Sequence, residues 1–133
     1  MPIMIEAPDD AVEVGFPADT ANMAIARTVA AAVAARADLT VDQIEDVRLA
    51  IDEAAAYLIT HASADARVRG RLWVEGPTFH ALLSCSTDAT STPEPEAFSW
   101  TVLSALVGDI DREIVDGDLT MHWALLRDHS VSA

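Results

Sequence analysis

Three things are scarce in this chain of 133 residues: cysteine, positive charge and long apolar runs. The single cysteine, Cys85, has no partner for an internal disulfide and belongs to no cluster of metal ligands. It reads as a small apolar residue in a strand, and the expected setting is cytoplasmic. Only eight bases, all arginine, stand against 22 acids, for a net charge of −14. That balance repels nucleic acid and anionic membranes. It suits plain solubility or attraction to a basic partner equally well, and composition does not separate the two. The stretch Ala30–Ala35 is apolar, but it is short, built of small residues and flanked by Arg27 and Arg36, so no segment reads as a membrane span. The N-terminus carries acid where a secretory signal would carry base, so none is expected.

What is present is a hydrophobic share of 51%, enough for one core in one domain over residues 1–133. The organising stretch is Thr40 to Ala62. Ile44, Val47, Ile51, Ala54 and Leu58 recur at three- and four-residue steps, which places them on one side of a helix. Thr40 and Gln43 have the spacing of a capping box. Glu53, Tyr57 and His61 form a second stripe on an adjacent face, one turn apart: a carboxylate, a phenol and an imidazole that could line a pocket. His61 falls near the helix C-terminus, where a cation complements the dipole.

Before this helix, Met1–Asp10 is acidic and expected to be a loose arm or an edge strand. Val12, Val14 and Phe16 alternate as a half-buried strand. A helix capped by Asp19 or Thr20 runs to about Ala37, with Ile25, Val29, Ala32, Val33 and Arg36 on one face. After Ala62 the period becomes two. Arg67, Arg69 and Arg71 share one strand face, where pairing with neighbouring carboxylates is the plainer reading and a binding role the sharper one. Glu75-Gly76-Pro77 turns into a second strand, Phe79–Cys85. Ser86–Glu96 is a polar loop. Phe98–Val107 reads as a third helix with Trp100, Leu103 and Leu106 toward the core. Asp111–Val115 and Leu119–Leu126 form a hairpin about Asp116-Gly117, and the tail from Asp128 is expected to be frayed. His80, His122 and His129 have no ligand spacing, so no metal site is expected. The element order predicts an α+β two-layer sandwich, a mixed sheet with helices on one face.

The run DVRLAIDEAAAYLITHA resembles the second-helix motif of RsbW-type anti-sigma factors, roughly LRLAVSEAxTNAIxHA. These are serine kinases of the GHKL (HATPase-like) superfamily. FSWTVLSALVGDI resembles the apolar helix after that family's second glycine box. The actinobacterial stress-response branch, the anti-sigma-F type, is most similar, and the resemblance covers most of Val12 to Leu126.

The resemblance implies ATP or ADP with Mg²⁺ as cofactor, and Glu53 as the general base that takes a proton from a partner's serine hydroxyl. Tyr57 replaces the asparagine that holds the metal, and a phenol is a poor oxygen ligand that occupies phosphate space. Asp88 is the only match to the first glycine box, and Ala97, Phe98 and Ser99 replace the second. Phosphate cradles use glycine because a Cβ blocks backbone approach. Nucleotide binding is therefore expected to be weakened or lost, leaving no cofactor. The function implied is sequestration of an alternative sigma factor by a homodimer, under control of an anti-anti-sigma antagonist. Arg27 and Arg36 are the expected partner contacts. The alternatives are an active Mg·ATP-dependent serine/threonine kinase acting on an anti-anti-sigma factor, and a non-catalytic scaffold for another basic protein.

Overall fold

A computed structural model describes residues 3–127. Five strands and three α-helices follow in the order β1 (Val12–Pro17), α1 (Met23–Ala34), α2 (Val41–Thr60), β2 (Arg67–Glu75), β3 (Thr78–Ser86), α3 (Ala97–Val107), β4 (Ile110–Val115) and β5 (Asp118–Leu126). Short 3-10 turns, Thr20–Asn22 and Ala35–Ala37, bracket α1. The strands form one sheet in the order β1-β2-β3-β5-β4. One face carries the helices, and the fold is the α+β two-layer sandwich that the element order implies.

The sheet is antiparallel at every pairing, where a mixed sheet was expected. The connections explain this. Two helices lie between β1 and β2, so the chain reverses three times and β2 returns beside β1 in the opposite sense. Only α3 lies between β3 and β4, which leaves those two strands running the same way. β5 then inserts between them and pairs antiparallel with both. Each hairpin has a two-residue loop. Gly76 at φ +60° opens the first, and Asp116 and Gly117, both at positive φ, make the second. Positive φ at both loop residues matches the right-handed twist of the flanking strands.

The central helix starts where its capping box places it. The Thr40 hydroxyl accepts from the Gln43 amide at 3.1 Å, and the Gln43 side chain accepts from the Thr40 amide. Gln43 Nε2 also donates to the Leu126 carbonyl, tying this end of α2 to the end of β5. Val47, Ile51, Ala54 and Leu58 are buried against Phe79, Ala81 and Leu83 of β3 and Met121 and Trp123 of β5. The buried residues of α1 are Ala26, Ala30, Ala31, Val33 and Ala34, followed by Ala37 in the 3-10 turn. Ile25 is 52% exposed, and Ala32 and Arg36 also face solvent. Alanine lets the α1 backbone approach α2 closely, so the small side chains turn inward and the larger Ile25 stays out.

The N-terminal arm is docked. The Ile3 amide donates to Glu113 Oε2 at 2.9 Å, and Ile3, Ile5 and Ala7 are half-buried while Met4, Glu6 and Pro8 are exposed. Glu113 pairs with Thr120, on the sheet face away from the helices. Residues 1–2 and the tail from Asp128 lie outside the described residues.

Candidate functional site

The stripe Glu53, Tyr57, His61 on α2 faces α3, and the two helices enclose a small cavity of about 90 Å³. Glu53, Tyr57, Thr60 and His61 line it from α2, with Pro95, Glu96, Ser99 and Trp100 on the other side. Tyr57 is 8% exposed. Its ring meets His61 edge-on at 5.1 Å and lies 6.2 Å from Trp100.

The Tyr57 hydroxyl is fully engaged. It donates to the Pro93 carbonyl at 2.7 Å and accepts from Arg112 Nη1 at 3.2 Å. The same Arg112 nitrogen donates to the Pro93 carbonyl at 2.8 Å, and its guanidinium carbon lies 4.5 Å from the centre of the Trp100 ring. Arg112 can do this because it is opposite Met121, so its side chain leaves the sheet on the helix-covered face. A guanidinium gains from a ring face when solvent is partly excluded. One arginine from the edge strand therefore fastens the loop before α3 onto α2.

A second closure lies at the start of α3. The Glu96 carboxylate accepts from the amides of Phe98, at 3.1 Å, and Ser99, at 2.9 Å. Those amides are unpaired within the helix, and the helix dipole adds positive potential there. The two amides hold the Glu96 carboxyl below the usual glutamate range. A protein carboxylate thus stands where an anionic ligand would otherwise bind a helix N-terminus. At the other end of the cavity, the Thr87 hydroxyl donates to the His61 carbonyl at 2.6 Å and accepts from the Ala89 amide.

The structure brings Glu53, Tyr57 and Ser99 together around the cavity. Asp88 is exposed and does not line it, and Ala97 is an exposed residue in the first turn of α3. Arg27 is held by Asp52 at 2.7 Å, whereas Arg36 makes no ion pair among the described residues. Among those residues, no group of three or more histidine, cysteine or acidic side chains could hold a metal ion. Also among them, no helix is long and apolar enough to cross a membrane.

Residues 16–99 match the family model of the histidine kinase-like ATPase domain, HATPase_c_2. The chain belongs to that family. Within the family it is similar to the anti-sigma-F factor RsbW of two Mycobacterium tuberculosis strains, CDC 1551/Oshkosh and ATCC 25618/H37Rv. It is 35% identical to each over 100 residues, which is 75% of this chain and 60% of the relative. The family match ends at Ser99, inside the first turn of α3, so it takes in the α2 stripe and Glu96 but not Arg112.

Sequence reasoning missed Glu96 and Arg112. Glutamate is an uncommon N-cap, and the STDATSTPEPE loop showed only polar character. Arg112 comes 55 residues after Tyr57 in a strand whose direction is set by tertiary pairing.

Proposed function

We propose that this chain is an anti-sigma factor that sequesters an alternative sigma factor by occupying its surface, and that its ancestral nucleotide cleft has lost ATP. The observation that carries the second half is the closure at Tyr57. The phenol and Arg112 lock the loop before α3 to α2, and about 90 Å³ remains. Small-molecule sites typically enclose about 300–1,000 Å³. The Glu96 carboxylate sits on the helix amides that would meet a phosphate, so an incoming triphosphate would meet like charge. These residues do not fit Mg·ATP, and no phosphoryl transfer is assigned to them.

Similarity to the RsbW anti-sigma-F factors supports the first half. The net charge of −14 also supports it, because opposite charge speeds and orients association with a basic partner. Arg27 and Arg36 are the proposed contacts on the first helical segment, with control by an anti-anti-sigma antagonist and assembly as a homodimer. Co-expression with the sigma factor encoded nearby tests this reading. The expected result is a stable complex that weakens as salt rises, and no complex with any co-encoded sigma factor at low salt refutes it.

Glu53 on the cavity wall favours a second reading, a Mg·ATP-dependent serine kinase with Glu53 as base. Saturable ATP binding at micromolar concentration would select it. A scaffold for another basic protein would bind neither ATP nor a sigma factor.

A further inference from the structure

The sheet face opposite the helices carries a feature that the anti-sigma reading does not use. Arg67, Arg69 and Arg71 alternate on β2 with Val68, Gly70 and Leu72, which point into the core. Three of the eight bases of a strongly acidic chain therefore project from one strand onto the face away from the helices. A groove of about 510 Å³ lies beside Arg69 and Arg71, bounded also by Glu13, Gly15, Ser84 and Thr120, and Arg67 stands beyond its end. No residue of the docked N-terminal arm lines it.

Gly15 is opposite Arg69 and keeps the groove open. A Cβ there would meet nothing closer than the Val68 carbonyl at 3.8 Å, and the nearest side-chain atom is Arg67 Nη2 at 4.0 Å. The glycine is thus not required by packing or by a positive φ, and its effect is an unfilled space between two arginines. Arg69 is paired with Asp118 at 2.8 Å and Arg71 with Glu13 at 3.0 Å, but both arginine side chains are more than half exposed. Exposed pairs of this kind are weak and exchange readily with other carboxylates. Arg67 has no ion pair among the described residues.

We propose that this groove docks an extended acidic segment of a partner protein, with acids at alternate positions facing the arginine ladder. The charge of the ladder selects an acidic occupant. Its spacing selects an extended one, since alternate residues of a strand stand roughly 6.6 Å apart on one face. The global negative charge opposes such a partner only at long range. At physiological ionic strength screening acts over about 8 Å, so the local arginines dominate at contact. The groove and α1 lie on opposite faces of the sheet, so a basic partner on the helices and an acidic segment here can be held together.

The test uses the full chain and two fluorescent peptides of equal length and charge, followed by polarisation at about 0.15 M salt. One peptide alternates glutamate with serine, and the other has its glutamates in one block. Saturable binding of the alternating peptide, at least tenfold tighter than the block peptide, is expected. Arg69→Ser with Arg71→Ser should weaken it tenfold or more. Gly15→Val, which fills the groove without changing charge, should do the same, with thermal melting showing that each variant remains folded. Absence of binding, or equal affinity for the two peptides, overturns the proposal. So does a change in sedimentation mass on Arg69→Ser with Arg71→Ser, which would assign the face to a second copy of the chain.

Discussion

Arg112 of the edge strand β4 donates to the Tyr57 hydroxyl of the central helix at 3.2 Å, tying the edge of the sheet to α2. The bond joins residues 55 apart in sequence. Through the shared Pro93 carbonyl, it also fixes the loop before α3 to α2.

Removing the phenol oxygen breaks that bond together with the one to Pro93. Tyr57→Phe keeps the ring against His61 and Trp100 but loses the donor to Pro93 and the acceptor for Arg112. A net hydrogen bond of this kind contributes about 1 kcal/mol. The expected loss in urea unfolding is about 1 kcal/mol, with a fall in Tm of about 3–5 °C. Arg112→Ala should cost more, because the Trp100 contact goes as well. If Tyr57→Phe has no effect on stability, the lock does not operate.

Glu96 gives a pH signature. Its carboxyl is lowered by the Ser99 and Phe98 amides, so its contribution to the start of α3 is present above the ordinary glutamate pKa. That contribution is lost as pH falls through the lowered value. Carboxyl NMR titration should place Glu96 below the exposed glutamates of the chain. In Glu96→Ala, amide exchange at Phe98 and Ser99 should be faster. An ordinary titration midpoint would contradict the cap.

The pair His80 and His122 acts in the same direction as Glu96 but at higher pH. Nδ1 of the first and Nε2 of the second are 3.1 Å apart, so one ring donates and the other must be unprotonated. Trp73 stacks on His80 at 4.9 Å and an interplanar angle of 6°. Burial lowers both imidazoles, and the charge of His80 lowers His122 further, against opposing effects from Glu75 and Asp111. The unfolded chain therefore binds more protons near an ordinary histidine pKa of about 6.5. Stability is full above that value and falls as pH drops through it toward the lowered folded values. Urea unfolding between pH 7.5 and 5 should show this loss, and His80→Gln with His122→Gln should flatten it. An unchanged slope in the double variant would assign the loss elsewhere.

Much of this architecture is legible from local chemistry. The Thr40–Gln43 capping box, the period-four stripe of α2 and the Asp116-Gly117 hairpin are each set by residues within a few positions of one another, and each forms as read. The inward face of α1 is legible only in part. Val33 is buried and Val29 packs against the core, whereas close helix approach turns the alanines inward and leaves Ile25 half-exposed. The sheet was read as mixed because strand direction depends on how many helices intervene and on where β5 inserts. At the site, the α2 stripe was visible because Glu53, Tyr57 and His61 are one turn apart. Its closure was not, because Glu96 and Arg112 arrive from a polar loop and an edge strand whose positions only the tertiary fold determines.

Calorimetric titration of the purified chain with Mg·ATP tests the central claim most directly. With Tyr57 and Glu96 lining the small cavity and Arg112 holding Tyr57 in place, no saturable heat is expected up to millimolar nucleotide. A single-site isotherm with micromolar affinity, lost on Glu53→Ala or Ser99→Leu, would contradict it.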